Sequence, residues 1–406
     1  MNKSFFLYPF ILIIGMFLSY ENPEIISNSK KIFKYFFGKE QVIIKPQKTI
    51  IIEKDKIEAN SFDLKYQKVM EFEDRSASML IDKKNNNDLI NLFTSIGKIE
   101  TAEKIEELPL PIDFYDRNNG GVRSVFKINE TKFILVSNKI FDCYYASIVR
   151  VDDNQQIIKS ECIPDADKDK INFSGLGGGY IDNGDTILLA IGTPTHAYEP
   201  IDKLSQNKNS IFGKILEINK KDLINLKIKK VDYEIFSLGH RNPQGLVKAE
   251  GKIYSLEHGP HGGDELNLIK KGKNYGWPIY SYGVPYEKKK KLLHHDSKEN
   301  YISPIYTYLP AIAPSHIVNC PENLSTYYNE NVCLLALSLK GMSLILILLD
   351  KKGKKVISSE KIFFEERLRH FGLNNQMKLF QDSNSSFYVA SDDNNIYKLK
   401  FENFVK

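Results

Sequence analysis

The sequence lacks a strong net charge and any long basic or acidic segment. Its 56 Lys and Arg residues and 51 Asp and Glu residues give a net charge of +5 over 406 residues. That balance is too mild and too mixed to indicate a protein that binds nucleic acid. The basic run at 288–291 is short and is interpreted as a solvated loop tip. The length allows one large core plus an extension.

No apolar run is as long as a membrane-spanning helix, which needs about 20 residues. The longest, Phe5–Leu18, follows a short Met-Asn-Lys start and suits the core of a signal peptide. No small-x-small cleavage site follows it, so a retained membrane tether through residues 5–18 and a buried core helix stay open as alternatives. We predict a signal peptide or anchor at 1–19 and export of the remainder. The protein would then be periplasmic, or membrane-anchored and facing the periplasm.

Cysteine is scarce, and none of the four cysteines has the CxxC spacing of a metal site. Cys143 and Cys162 flank a hairpin-like segment whose turn is Asp152–Asn154, and Cys320 and Cys333 bracket a polar loop. Two local disulfides are predicted, which fits an exported protein. The alternative is four inert buried thiols.

Residues 20–105 contain only two glycines and few turn signals. Gln41–Glu53 is interpreted as a strand pair, and Asn87–Ile96 has apolar residues at helical spacing. We predict a tether and a small irregular subdomain for 20–105.

From residue 106 to 406, short apolar runs alternate with Asp, Asn and Gly turns, which is typical of an all-β protein. The runs are Lys132–Val136, Thr186–Ile191, Gly213–Ile218, Lys252–Leu256, Val332–Leu337, Ser343–Leu349, Phe387–Ala390 and Ile396–Leu399.

Three polar loops lie within forty residues: Gly239–Leu246 (GHRNPQGL), Gly259–Glu265 (GPHGGDE) and Gly272–Pro278 (GKNYGWP). Each combines glycine or proline with charged and amide side chains, which indicates one functional site.

The order and spacing of these motifs resemble the soluble quinoprotein sugar dehydrogenases, the glucose/sorbosone dehydrogenase family. Further matches lie at Ser205–Gln206, Gly213–Leu216, Ile312–Ser315, Ser338–Gly341 and Arg367–Arg369. The resemblance covers roughly residues 170–400, is weak from 106 to 170 and is absent before that. The resemblance implies a six-bladed β-propeller that uses pyrroloquinoline quinone (PQQ) and calcium. About 300 residues divided into blades of about 45–50 also gives six.

The resemblance assigns five residues to the cofactor. Lys340, Arg367 and Arg369 would bind its carboxylates, and Arg241 and Asn242 would contact the quinone. Arg suits carboxylates because its donors form a rigid fork. Because strand residues alternate, Arg367 and Arg369 should share a face. Taken singly, each cation is more typical of an exposed surface position.

Calcium ligands are implied at the carbonyls of Gly259, Pro260 and Tyr275 and at the Glu265 carboxylate. No aspartate occurs in 283–286, where a further carboxylate is expected. The alternative is that Asp264 and Glu265 cap a turn. Asp264 and His258 match positions that face the substrate in relatives.

The histidine that serves the family as general base is missing. Aligned on the paired glycines, Gly175 stands in its place and Gly179 replaces an arginine. Glycine cannot transfer a proton. His196, His316 and His370 lie near the predicted site, but structural or solvated roles are favoured for them. His258 is the best-placed candidate, with Arg241 as its catalytic partner.

The expected function is therefore PQQ-dependent oxidation of an aldose or related alcohol in the cell envelope, with electrons passing to an unidentified acceptor. The alternative is a non-catalytic propeller that binds PQQ, a glycan or a protein.

Overall fold

The computed structural model describes residues 56–84, 87–164, 171–194, 199–285 and 301–405. The segments expected to be a signal peptide or anchor (1–19) and a strand pair (41–53), and the basic run at 288–291, lie outside these residues. Among the described residues, no helix is long and apolar enough to cross a membrane.

Six sheets built mostly from antiparallel neighbours account for most of the described backbone. The chain enters them through β1 (Lys56–Glu58) and β2 (Asp63–Glu71). The first two sheets comprise β3 (Ser76–Lys84), β4 (Asn87–Thr94), β5 (Lys98–Glu100) and β6 (Ile105–Glu107), then β7 (Val122–Ile128), β8 (Thr131–Ile140), β9 (Cys143–Arg150), β10 (Gln155–Lys159) and β11 (Ile163–Pro164).

The next sheets follow in chain order. They comprise β12 (Gly177–Asn183), β13 (Thr186–Ile191), β14 (Lys214–Asn219), β15 (Glu234–Leu238) and β19 (Lys273–Asn274); β16 (Pro243–Ala249), β17 (Lys252–Glu257), β18 (Asp264–Ile269) and β20 (Tyr306–Tyr308); β21 (Pro314–Asn319), β22 (Val332–Ser338), β23 (Ser343–Leu349) and β24 (Val356–Phe363). The last sheet joins β25 (Leu368–Phe371), β26 (Phe387–Ser391) and β27 (Asn395–Glu402) to β2 and β1.

Helices in the described segments are short. The α-helices are Glu199–Lys203, Lys220–Ile224 and Glu322–Tyr327, and the 3-10 turns are Val151–Asp153, Phe173–Gly175 and Leu204–Gln206.

The innermost strands close a ring. Contacts run from β3 to β7, β12, β16, β21 and β25, and β25 returns to β3. The architecture is a six-bladed β-propeller, which confirms the predicted all-β fold. The apolar runs predicted after residue 106 all lie in strands. In β22 and β23 every side chain is buried, because neighbouring blades cover both faces of a blade.

The propeller begins earlier than the boundary expected at residue 106. β2 forms the outer strand of the last blade, where Leu64 lies opposite Phe401 of β27, and β3–β6 form a complete blade. The tether and irregular subdomain predicted for 20–105 is therefore wrong from residue 56 onward. The segment with helical spacing, Asn87–Ile96, is strand β4, which pairs with β3 along its length.

Both predicted disulfides are present. Cys143 of β9 is joined to Cys162, with the two Cα atoms 5.3 Å apart, and β11 brings the second cysteine alongside β9. Cys320 and Cys333 have Cα atoms 5.4 Å apart at the ends of β21 and β22. No free cysteine occurs in the described residues.

Candidate active site

One mouth of the central channel forms where the innermost strands begin. Ser315 Oγ donates to Leu368 O (2.7 Å), which joins the starts of β21 and β25. His370 Nε2 lies 3.4 Å from Ser76 O, which joins β25 to β3. The loops that precede these strands therefore meet around one axis, although they are far apart in sequence.

The Arg241–Asn242 loop leads into β16 at this mouth. Arg241 is buried, its Nη1 donates to His258 O (3.2 Å), and its guanidinium lies 5.2 Å from the Trp277 ring. Asn242 Oδ1 accepts from Gly177 N (3.2 Å), and Asn242 O accepts from His258 N (3.1 Å). These contacts fix the arginine and the amide relative to the starts of β12 and of the loop after β17.

His258 is held in one tautomer. Its Nε2 lies 2.6 Å from Pro314 O, and since a carbonyl can only accept, Nε2 carries the hydrogen and Nδ1 keeps its lone pair. Burial lowers the pKa of His258 to about 4, and the charges of Arg241 and Arg369 act in the same direction, against Asp264. The imidazole is therefore neutral at neutral pH.

Asp264 ties two loops together. Its carboxylate accepts hydrogen bonds from Gly259 N (2.9 Å), Ile312 N (2.7 Å) and Ala313 N (2.7 Å). Lys340 follows β22 and its backbone N donates to Ile312 O (3.0 Å), while its side chain is exposed. Asp264 thus fastens the Gly259 loop to the segment that carries Lys340, and it does more than cap a turn.

Arg367 and Arg369 contact the same carboxylate. Arg369 donates to Asp392 through Nε and Nη2, and Arg367 Nε lies 3.5 Å from Asp392 Oδ2. Arg367 is about half exposed, whereas Arg369 is largely buried. Arg241 donates to His258 O, His258 contacts Pro314 O, and Ser315 donates to Leu368 O, so Arg241 and the residue next to Arg369 are both linked to the His258 segment.

A small cavity at this mouth is lined by two carboxylates and by Arg241. It has a volume of about 10 Å³ and its lining includes Glu257, Glu265, Gly259 and Tyr275. Asn267 Nδ2 donates to both carboxylates, at 2.8 Å from Glu257 and 3.1 Å from Glu265. Burial and the charge of Glu257 raise the pKa of Glu265 to about 8. Pro260 lies in the adjoining loop and does not line the cavity.

The walls of this cavity are rigid. The Tyr275 ring stacks on His240, with centroids 4.8 Å apart, and His240 Nδ1 lies 3.1 Å from Glu257 Oε1. Ser205 Oγ donates to Trp277 O (2.6 Å), which explains why the Ser205–Gln206 motif accompanies the polar loops. Sequence reasoning missed Glu257, whose only signal is its place directly before His258.

Gly175 ends a 3-10 turn just before β12, at the same mouth. The backbone there is tightly packed, since a Cβ on Gly179 would lie 2.8 Å from Gly245 C, which leaves no room for a side chain at that position. His316 Nδ1 accepts from Phe371 N (3.0 Å), and His370 contacts Ser76 O. Both histidines join innermost strands, as their structural interpretation predicts. His196 lies outside the described residues.

Two further arginines at the mouth, Arg75 and Arg123, were not anticipated. Arg75 and Arg123 both contact Asn119, and Ser76, which follows Arg75, contacts His370, which follows Arg369, so the three arginines lie near one another. Little in the sequence indicated Arg75 and Arg123, because Arg75 precedes a strand that was not predicted. Among the described residues, no cluster of three or more His, Cys, Asp or Glu side chains forms a ready metal site.

A propeller with a ring of arginines and one buried acidic cavity at its mouth is suited to holding a small anionic ligand and a cation. The family model for glucose/sorbosone dehydrogenases matches residues 78–397, so the chain belongs to that family, whose members are PQQ-dependent sugar dehydrogenases.

Among known proteins, the chain is 31% identical over 230 residues to an uncharacterized protein of Synechocystis sp.. The match covers 54% of this chain and 53% of that relative, so it spans about half of the relative's length.

Solved structures share the fold. The apo-form of the soluble aldose sugar dehydrogenase of Escherichia coli superposes with a TM-score of 0.62 at 20% identity, covering 83% of this chain and 99% of that one. The PQQ-bound aldose sugar dehydrogenase of Streptomyces coelicolor gives a TM-score of 0.53 at 16% identity, covering 84% and 98%.

Proposed function

We propose that this protein catalyses the PQQ-dependent oxidation of an aldose or a related alcohol outside the cytoplasm. The observation that carries the proposal is the meeting of Arg241, Arg369 and a neutral His258 at one channel mouth. Family membership supports the reaction class, and the two disulfides support export to an oxidising compartment.

The proposed cofactor contacts follow from the charges of the site residues and from the order of their motifs along the chain. Arg369 and Arg367 would bind cofactor carboxylates beside Asp392, and the exposed Lys340 would close over them. Arg241 and Asn242 would contact the quinone. Arg241 is fixed by His258 O and by the Trp277 face, so it can orient a planar ligand without losing side-chain freedom on binding.

The acidic cavity fits calcium. Its volume of about 10 Å³ suits one ion or one water molecule, and Asn267 Oδ1 is buried with no hydrogen-bond partner among the described residues. Two buried carboxylates and an unused amide oxygen are hard ligands. We propose Glu265 and the carbonyls of Gly259, Pro260 and Tyr275 as ligands, and we add Glu257.

When bound, the quinone would accept the hydride that leaves the anomeric carbon. His258 would take the hydroxyl proton of the sugar at Nδ1, so that the sugar loses two electrons and two hydrogens and becomes a lactone. Asp264 would stabilise the resulting imidazolium, since its charge already favours protonation of His258. Arg241 would stabilise negative charge developing on the oxygen it faces.

A second function has one observation in its favour. The family resemblance implies that Gly175 stands where relatives carry the general base, and glycine has no group to replace it. A propeller that binds PQQ, a glycan or a protein without turnover would keep the arginines and lose the base. The electron acceptor of the catalytic form would be a component of the cell envelope.

The two functions are distinguished by reconstituting the full chain with PQQ and calcium. Cofactor absorbance reports binding, and reduction of an artificial dye with a panel of aldoses reports turnover. We expect both PQQ binding and turnover. The R369Q variant should bind PQQ more weakly, and the exposed Arg117→Gln variant should behave as wild type. PQQ binding without turnover would favour the second function, and no binding would refute both cofactor-dependent functions.

A further inference from the structure

The arginines that the family resemblance does not assign, Arg75 and Arg123, converge on one residue. Arg75 immediately precedes β3, and Arg123 is the second residue of β7. Arg75 Nη1 donates to Asn119 Oδ1 (3.2 Å), and Arg123 Nη1 approaches Asn119 O (3.4 Å). Two neighbouring blades therefore direct guanidinium groups into the same part of the mouth.

The negative charge near Arg75 and Arg123 is too small to balance their positive charges. Burial lowers the pKa of both arginines and the charge of Arg369 lowers it further, whereas Asp392 is the one carboxylate of the described residues that acts in the opposite direction. Asp392 already accepts two hydrogen bonds from Arg369. Three guanidinium groups thus share one carboxylate among the described residues, an arrangement that a bound anion would stabilise.

Arg123 has donors available for such an anion. Its Nε is buried and has no hydrogen-bond partner in the described part of the chain. Its contacts with Asn119 O (3.4 Å) and Ser174 O (3.5 Å) are long for hydrogen bonds. Burial and the neighbouring charges lower the pKa of Arg123 to about 9, so it still carries its charge at neutral pH.

The pair lies beside Gly175 and near Arg369, one of the residues proposed for the cofactor carboxylates. Arg123 Nη2 points at Ser174 O, next to Gly175, and two residues later Gly177 N donates to Asn242. Because Gly175 has no side chain, that position does not fill the space between Arg123 and the Arg241–Asn242 loop. Because the family resemblance places the general base of relatives at Gly175, the substrate would lie on this side of the pocket.

We propose that Arg75 and Arg123 bind a carboxylate of the substrate, so that the sugar oxidised here is a uronic acid or another aldose that carries a carboxylate. The redox step rests on the proposed function, whereas the subsite is a binding property of this chain. A neutral aldose would leave both guanidinium groups without a counter-charge, and a site built for a charged group discriminates against a ligand that lacks it.

The test is calorimetric titration of the full chain with glucuronate, glucose and glucose 6-phosphate, without and with PQQ and calcium. We expect glucuronate to bind about 10- to 100-fold more tightly than glucose, as one or two charge-assisted hydrogen bonds imply. The R75Q and R123Q variants should each reduce that preference, and salt should weaken it. Arg117→Gln, which changes an exposed arginine of the same loop, should not.

Each result decides the proposal. Equal affinity of the wild type for glucuronate and glucose, which needs no variant, would overturn it. Tighter binding of the sugar phosphate would overturn the assignment to a carboxylate. Loss of PQQ binding in R75Q and R123Q, with the uronate preference intact, would assign the pair to the cofactor. A uronate preference lost in R123Q, in a protein that binds no PQQ, would support the subsite while refuting the proposed oxidation.

Discussion

Two glutamates, Glu257 and Glu265, share the amide of Asn267 in a nearly closed cavity. Like charges in a buried space are unfavourable, which is why the pKa of Glu265 is raised to about 8. A divalent cation would reverse that effect. The stability of the protein should therefore depend on pH without calcium and lose that dependence when calcium is bound.

We expect the melting temperature of the calcium-free protein to fall as pH rises from 5 to 8. A carboxyl whose pKa is about 8 when folded and near its ordinary value when unfolded stabilises fully below the unfolded pKa. That contribution is lost as pH rises through the folded pKa. Thermal melts in chelator should show this slope for the wild type and a smaller one for E265Q.

Calcium should abolish the same slope and raise the melting temperature at pH 8, because binding to the folded state adds stability. The exposed Glu250→Gln variant is the matched control and should follow the wild type. A calcium-free protein with a flat profile between pH 5 and 8 would contradict the buried-carboxyl interpretation.

His258 makes a second prediction at the residue scale. A proton acceptor works in its neutral form, and with a pKa of about 4 His258 should keep kcat/KM constant from about pH 5 to 7. A base with the ordinary histidine pKa of about 6.5 would instead lose half of its kcat/KM when the pH falls to that value. H258Q should lower kcat by about 100- to 10,000-fold.

The control for His258 is His261→Gln, three residues away and exposed. It should leave both kcat and the pH profile unchanged. If H258Q retains wild-type turnover, another group accepts the proton.

At the scale of elements, the disulfides join strands that the sequence already places side by side. Cys320 N donates to Cys333 O (3.1 Å), so the second bridge closes a segment between the adjacent strands β21 and β22. The segment includes the short helix Glu322–Tyr327. The bridge should act mainly by restricting the unfolded chain.

Replacing both cysteines in the C320A/C333A variant should lower the free energy of unfolding by about 3 kcal/mol, the value for a loop of about 15 residues. Denaturant unfolding measures the change, and under reducing conditions, which open both disulfides, the wild type and the variant should have equal stability. An unchanged midpoint would mean that the strands alone define this segment.

Strand prediction succeeded where strands are buried on both faces and failed at the edges. The runs in β13, β22 and β23 are continuous apolar segments. β2 was missed because most of its side chains are exposed or half-buried. In β4, Leu89, Ile90, Leu92 and Phe93 mimic helical spacing, although they pack on both faces of a blade.

The residues of the candidate site were also predicted only in part. Arg241, Asn242, His258 and Glu265 were indicated by glycine-rich loops with family spacing. Arg75 and Arg123 were not, because Arg75 precedes a strand and Arg123 lies within one, neither has such a motif beside it, and a lone arginine carries no signal of its partners. Their proximity to Arg369 arises only when the ring closes, and no local pattern contains that information.

At the scale of the whole molecule, closure of the ring depends on pairing between β2 and β27. Leu64 of β2 is fully buried opposite Phe401. The L64A variant should lower the free energy of unfolding by about 2–5 kcal/mol, because it leaves a cavity in the closing blade. Val69→Ala changes an exposed side chain of the same strand and should cost much less.

Denaturant unfolding of both variants, read by tryptophan fluorescence at Trp277 and by circular dichroism, checks this prediction. Coincident transitions would mean that the blades unfold together. Equal stability of L64A and V69A would show that closure contributes little.

The same closing blade determines when the protein can first become complete. β2 ends at Glu71, and its neighbour β27 begins at Asn395, so more than 300 residues of synthesis separate the two partners. During translation, the edge that β27 will cover stays unpaired until β27 has been synthesised. Folding that joins residues so far apart is slow, and any step that delays release of the last strand prolongs exposure of that edge.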